Sequence, residues 1–513
     1  MGILGGLGWM ASHRQGAALP MWLGGPPARP NIVIIDIDTL AVDHVGATRQ
    51  GVPVTPEIDA LAARGVRFST AVSQAGWTLP ALSSLLTGTL PVPSEVDGGA
   101  VPWRQRGARD IPEILQLYGY TTAVFWGKTL PGAMSEAMSR SFSFVSVPRG
   151  PMSVPPTGEV VGWLSAPPAE PFFLYVHDID LHQPWSYRDQ AYPFDVLTAK
   201  GPHYPDIYNE FRDRLDEEGA QAATIAHYDS VLTLYDAAVG RIVDAIEAAD
   251  LADHTVILVT SDHGEDFFEH AIVDHGLLYD TNLRIPLILV DPRAKGGARV
   301  VDTPVQAVDI APTVLALAGI PADVQMHGQS LTGFLTGPAA EGAPAYEERA
   351  AFGMSDGCHV SWRTREWKLI LRDGRMREDR SWYAAGGENN VRVSLADFAR
   401  THLPADPPLP DCSDPVRRPR DLMGIVAPFS PSPAETLVEL YDIAADPREQ
   451  TNLVQRRPDV ASALMAPLLA RVAERRSAVA GAPAEPLAPA QVRAIRDQGY
   501  WGFIDRGGAG TDP

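Results

Sequence analysis

The sequence predicts an α/β fold, a central and mostly parallel sheet flanked by helices, with a small antiparallel region towards the C-terminus. Three apolar runs carry the first part of that reading: Ile32 to Ile35, Phe172 to Val176 and Val256 to Val259. They have the length and the β-branched and aromatic content of strands buried on both faces. Segments with helical spacing lie between them, and such alternation builds a doubly wound sheet. Each run also ends in acid or imidazole groups: Asp36-Ile37-Asp38, His177-Asp178-Ile179-Asp180-Leu181-His182 and Asp262-His263. Ligands of open α/β sheets bind beyond the carboxyl ends of the strands, so three such ends together point to a metal-centred site.

Taken in order, residues 1–29 are rich in Gly, Ala and Pro, with a weak apolar stretch from Ile3 to Ala11. They lack the basic start and long apolar core of a secretory signal and read as a tail or a truncated signal. Localisation stays open, with the periplasm or the cell exterior favoured. A helix is predicted over Pro56 to Arg64, a second over Ile111 to Tyr118, and a strand over Thr121 to Phe125. Tyr228 to Ala249 forms a longer helix, with Val231, Leu234, Tyr235, Ala238, Ile242 and Ile246 at helical spacing. The alternation continues to about Gly319, and the main domain is expected to span 30–350. Trp367 to Leu371 and Leu437 to Tyr441 read as hairpin strands of a small subdomain over 351–480. Within it, 376–435 is rich in Pro, Arg and Asp and reads as a surface insertion. A tail, 481–513, closes the chain.

At 513 residues the chain exceeds one ordinary core, and its 45% hydrophobic and 20% charged content is that of a folded globular protein. A formal charge of -21 argues against non-specific binding to nucleic acid or an anionic membrane. An anionic substrate must therefore be drawn in by a local metal or basic pocket. No apolar stretch is long enough to span a bilayer. Cys358 and Cys412 show no metal-ligand spacing, and whether they pair is left open.

Residues two apart on a strand face the same way, so Asp36 and Asp38 project from one face, with Asp38 at the tip. Asp262 and His263 follow the third strand, and His275 comes after an acidic loop holding Glu265, Asp266, Glu269 and His270. Mixed oxygen and nitrogen donors suit zinc or manganese better than calcium. The segment Trp77 to Gly88 reads as a loop entering a helix, with Thr78 at the N-cap and Pro80 in the first turn. A hydroxyl there, beside a divalent cation, loses its proton more readily and can attack phosphorus or sulfur.

These residues carry a resemblance to the sulfatase family of the alkaline-phosphatase superfamily. Pro30 to Ile35 through Asp38-Thr39-Leu40 is similar to the family's opening strand, and Thr78-Leu79-Pro80 through Thr87-Gly88 occupies its nucleophile signature. Further similar stretches are His177 to Pro184, Thr260 to Glu265, His275 to Ile288, Val308 to Thr313 and, in a small closing domain, Leu440 to Leu453. The resemblance implies a sulfatase-like fold and a metal-dependent hydrolase of phosphate or sulfate esters. Asp38, Thr78, Asp262 and His263 would hold one metal, Thr78 would be the nucleophile, and His182 and His275 would bind a second metal or the anion and assist the leaving group.

The departures shape the expectation. Sulfate-ester enzymes of the family carry Cys or Ser, oxidised to formylglycine, where this chain has Thr78, and Arg where it has Leu82. Threonine cannot give that aldehyde without breaking a carbon–carbon bond. Superfamily members with threonine act on phosphoesters, as phosphodiesterases or as transferases of phosphorylated head groups. Thr39 stands where many sulfatases place a second metal-binding Asp. Asp178 and His182 resemble a pair that holds a second zinc; an alternative alignment takes His177, Asp180 and His182 as the usual substrate-side stretch. Lys128 matches an anion-binding lysine, although the histidine usual two residues later is Leu130. The expected substrate is a small anionic ester, on a glycan, a lipid head group or similar. The alternatives are a phospho-head-group transferase and a catalytically silent anion-binding protein.

Overall fold

The computed structural model describes residues 29–91, 107–127, 138–147, 157–168, 171–178, 181, 216–270, 273–335, 346–355, 359–373, 393–403 and 436–479. Among them, the main sheet contains β1 (Asn31–Ile37), β2 (Val66–Val72), β3 (Thr121–Trp126), β4 (Phe144–Ser146), β5 (Phe172–Asp178), β6 (Thr255–Thr260), β7 (Arg284–Val290), β8 (Arg299–Val301) and β9 (Val305–Gln306). Its order is β8-β2-β7-β6-β1-β5-β3-β4, with β9 also beside β2. β1 runs parallel to β5 and β6, and β7 is antiparallel to both β2 and β6. The three strands expected to end in acid and imidazole groups are thus immediate neighbours, with β1 in the middle.

Every residue of β1, β5 and β6 is buried, as their apolar sequences require of strands covered on both faces. Ile32 and Ile34 face the helices Thr78–Thr87, Ile111–Leu117 and Ile310–Leu317; Val33, Ile35 and Ile37 face Pro56–Ala62, Thr157–Leu164 and Glu217–Ala248. This alternation fixes the register, because a slip of one residue would turn Asp36 into the opposite helix layer.

The C-terminal part forms an antiparallel sheet of β10 (Ala351–Met354), β11 (Val360–Arg363), β12 (Trp367–Asp373) and β13 (Thr436–Asp442), in that order. Leu369 and Leu440 pair directly in it. The helices Leu395–His402 and Pro458–Val479 cover one face through Leu395, Phe398, Met465 and Leu468. The first of these helices lies inside the stretch read as a surface insertion. Its buried stripe is made by Leu395, Phe398 and Ala399 alone. Ser394 caps it, accepting the Asp397 N–H at 3.0 Å. Residues 376–392 and 404–435 of that insertion, and both cysteines, lie outside the described residues.

Buried charges lock the small sheet to the main domain. Arg363 makes hydrogen bonds of 2.9–3.0 Å to both oxygens of Asp280, and Lys368 Nζ sits 2.8 Å from Asp280 and 3.0 Å from Glu449. Arg372 pairs with Glu439 at 2.9 Å, and Tyr279 donates its hydroxyl to the same carboxylate at 2.8 Å. Burial alone would raise the pKa of Asp280, but Lys368 and Arg363 outweigh it and hold that carboxyl below the usual range. No helix of the described residues is long and apolar enough to cross a membrane.

Candidate active site

Where β1 ends, Asp38 N–H donates to the Asp178 carbonyl at 2.8 Å, and Thr39 then takes a φ of 58°. That left-handed backbone is uncommon for a β-branched residue and costs on the order of 1–3 kcal/mol. Several bonds hold it: Thr39 Oγ1 donates to the Leu181 carbonyl at 3.1 Å, Tyr228 donates to the Thr39 carbonyl at 2.9 Å, and Leu40 N–H donates to Ser261 Oγ at 3.1 Å. The last bond ties the β1 turn to the β6 turn and brings Asp38 alongside Asp262 and His263. The Thr39 hydroxyl is committed to Leu181.

Beyond β6, Ser261 Oγ donates to the His263 carbonyl at 2.6 Å, and Asp262 Oδ1 accepts the His263 N–H at 2.8 Å. His263 Nδ1 lies 3.0 Å from the Gly264 carbonyl. A carbonyl only accepts, so Nδ1 carries the proton and Nε2 presents its lone pair to the cluster.

Thr78 arrives on a third element. Gly76 packs so tightly on the neighbouring loop that a Cβ there would meet the Leu277 carbonyl at 2.1 Å, and Gly276 N–H donates to the Gly76 carbonyl at 2.6 Å. Trp77 Nε1 donates to the Ser355 carbonyl at 3.1 Å. The helix then starts at Thr78 itself, with Trp77 in the extended cap position and no capping bond from a side chain. The N-cap expected at Thr78 is therefore one residue too late: the cap position is Trp77, and the Thr78 hydroxyl reaches the cluster. Pro80 still falls in the first turn, where a missing N–H does no harm. Nine of the ten helix residues are buried, Leu82 among them in the apolar core. An arginine at that position is replaced here by core packing.

Ligand atoms of Asp38, Asp262 and His263 all lie within 4.8 Å of one another, and all three residues are fully buried. Thr78 Oγ1 is 3.4 Å from Asp38 Oδ2 and 3.4 Å from His263 Nε2. His263 Nε2 is 3.3 Å from Asp38 Oδ1 and 3.5 Å from Asp262 Oδ2. Ligands about 2.0–2.2 Å from a tetrahedral cation stand roughly 3.3–3.6 Å apart, so these four separations suit one. Asp38 Oδ1 and Asp262 Oδ2 have no hydrogen-bond partner. Burial, then the charges of Asp262, Asp36 and Glu265, push the Asp38 carboxyl well above its ordinary value, and burial pushes Asp262 up to about 7. A divalent cation reverses both effects. The residues present fit a metal.

The imidazole of His275 stacks on His263 at 4.6 Å between ring centres, and its Nδ1 lies 3.6 Å from Glu265 Oε1. Its side chain is 12% exposed, whereas Asp38, Asp262 and His263 are fully buried. His270 is engaged elsewhere: Nδ1 is 2.5 Å from Asp266, and the ring lies flat on Tyr279. Asp178 is buried at the end of β5, opposite Ile37 in register, and outside the group of three. His177 lies opposite Asp36, fully buried, its pKa lowered to about 3 by burial. His182, Lys128 and Leu130 lie outside the described residues. Sequence reasoning left out the buried Glu265 carboxylate as a partner of His275, and Tyr175, which donates to Asp36 Oδ2 at 2.5 Å. The strand period gave a signal for Tyr175, since it lies two residues before His177 on one face.

Comparison with known proteins gives a consistent picture. Residues 30–320 match the family model described as Sulfatase, and residues 268–376 match one described as N-sulphoglucosamine sulphohydrolase, C-terminal. An ulvan-active sulfatase of Formosa agariphila is 25% identical over 357 residues, 61% of this chain and 66% of that protein. A solved 2-O GAG sulfatase structure superposes with a TM-score of 0.60 at 18% identity, covering 90% of this chain and 96% of the other. The phosphonate monoester hydrolase of Agrobacterium radiobacter gives 0.57 at 19% identity, covering 87% and 96%. At these identities the two structures speak for the fold.

Proposed function

Because the chain belongs to the sulfatase family, we propose that it is a metal-dependent hydrolase of phosphate or sulfate esters in which Thr78 is the nucleophile. The single observation that carries this reading is the position of Thr78 Oγ1, 3.4 Å from both Asp38 and His263 of the candidate metal group. A bound divalent cation, zinc or manganese by its donor set, would lower the hydroxyl pKa and polarise the ester. Asp38, Asp262 and His263 would hold the cation. Thr78 Oγ1 attacks phosphorus or sulfur and the substrate's ester oxygen leaves, with the partly exposed His275 to protonate it. Water then cleaves the Thr78 ester.

Phosphate esters are favoured over sulfate esters. Threonine bars the aldehyde mechanism of the family's sulfate-ester enzymes, whereas its hydroxyl can attack phosphorus directly. The substrate class is a small anionic ester on a glycan or lipid head group, in keeping with the sulfated-sugar chemistry named for the relatives. Delivery of the Thr78 ester to an acceptor hydroxyl would make the same site a transferase.

Phosphate monoester, phosphodiester and sulfate ester analogues should be assayed side by side with zinc, manganese or calcium added to chelator-treated protein. Turnover of at least one phosphoester, restored by zinc or manganese and partly kept by Thr78→Ser, is expected. Preference for the sulfate ester, or turnover indifferent to metal, would contradict it.

A further inference from the structure

The small antiparallel sheet touches the candidate active site at the end of β10. Met354, its last residue, donates its N–H to the Gln74 carbonyl at 2.8 Å. Ser355 follows, buried, with its own N–H donated to the His359 carbonyl at 3.0 Å. Main-chain bonds therefore hold Ser355 in place without using its hydroxyl.

The two oxygens of Ser355 serve the two loops that carry Thr78 and His275. Its carbonyl accepts the indole N–H of Trp77, one residue before Thr78, at 3.1 Å. Its hydroxyl donates to the carbonyl of Gly276, one residue after His275, at 2.9 Å. Gly276 in turn donates its N–H to the Gly76 carbonyl at 2.6 Å, so each peptide group beside His275 on that side is bound from outside the loop. Gly276 needs such support: its φ is 99°, a region that favours glycine, and it has no side chain to pack. The imidazole before it must keep its place on His263, 4.6 Å between ring centres. A misplacement of about 1 Å in a reacting group is enough to cost 10²-fold in rate.

We propose that Ser355, contributed by the small subdomain, is a positioning residue for the departure of the leaving group. Its hydroxyl fixes the Gly276 peptide and through it the His275 imidazole, while its carbonyl holds the loop of Trp77 and Thr78 in step. The small subdomain is then part of the catalytic unit and not only a partner in the charged joint at Asp280. The inference rests on the proposed roles of Thr78 and His275.

The test compares leaving groups. Zinc-loaded wild type, Ser355→Ala and Ser355→Cys are assayed on the para-nitrophenyl and the phenyl ester of one phosphoester class, with urea unfolding and zinc content measured for each protein. Nitrophenolate departs readily without a proton, whereas phenolate departs far better with one. Ser355→Ala keeps the carbonyl bond to Trp77 and is expected to lose about 10²-fold in kcat on the phenyl ester. It should lose little on the nitrophenyl ester, with KM and bound zinc unchanged. Ser355→Cys keeps the size but only a weak donor and should fall between the two; if the alanine variant does not fold, the same selective loss is read on the cysteine variant. Equal losses on both esters, or none on either, in a folded and zinc-loaded variant would overturn this inference alone. Wild type that turns over neither ester would overturn the proposed function together with it.

Discussion

Two clusters of buried charge in this molecule are built from similar residues and behave in opposite ways. At the junction with the small sheet, Asp280, Glu439 and Glu449 face Arg363, Lys368 and Arg372. At the strand ends, Asp36, Asp38 and Asp262 make no ion pair with a described lysine or arginine. The Asp280 carboxyl is held below its usual range and that of Asp38 well above it. Burial penalises both; the partners decide the sign. A balanced cluster is finished by the chain itself, whereas an unbalanced one needs a cation from outside. The difference separates a structural joint from a functional site without reference to any relative.

The comparison breaks most visibly if the unbalanced cluster works without metal. Chelation should lower ester turnover by about 10⁴-fold or more, since a Lewis acid at the reacting centre supplies several kcal/mol; activity that survives exhaustive chelation would end the argument. At the balanced cluster, Asp280→Ala should destabilise the fold by about 3–5 kcal/mol in urea, because Arg363 would be left buried without its carboxylate and Lys368 with Glu449 alone. Asp38→Asn should do the reverse in metal-free protein at pH 8, adding stability on the order of 1 kcal/mol, and a loss instead would mean that Asp38 is already compensated.

The same imbalance shows in pH. Metal-free Asp262 titrates at about 7 against 3.8 for an ordinary aspartate, so the folded state keeps a proton that the unfolded chain releases. Its contribution to stability is full below about pH 4 and is lost as pH rises through about 7. The melting temperature of metal-free protein should therefore fall across that window, and zinc should flatten the fall. A metal-free melting temperature that rises from pH 4 to 8 would contradict the charge imbalance.

Much of this was legible in the sequence. The β-branched runs announced β1, β5 and β6, and their acid and imidazole ends announced the cluster, because a strand's period of two and its carboxyl end are local properties. The antiparallel insertion of β7 between β2 and β6 was not legible, since an apolar run does not state its direction. Neither was the bond from Thr39 to Leu181, which depends on a left-handed turn that a threonine sequence disfavours. The helix Leu395–His402 was hidden by polar neighbours, with three buried apolar residues too few to stand out. Thr78 was assigned to the right helix end, but the side its hydroxyl faces depends on Gly76 and on contacts with Leu277 and Gly276, which lie about 200 residues away.

The most direct test of the central claim is the turnover of metal-loaded Thr78→Ala beside wild type on the best phosphoester. The substitution removes one hydroxyl and one methyl at the first helix residue and should leave folding nearly intact, since even a lost cap costs only about 1 kcal/mol. A fall of about 10³-fold or more is expected if the Thr78 hydroxyl makes the attack. Full turnover by the alanine variant would show that water at the cluster, and not Thr78, is the nucleophile.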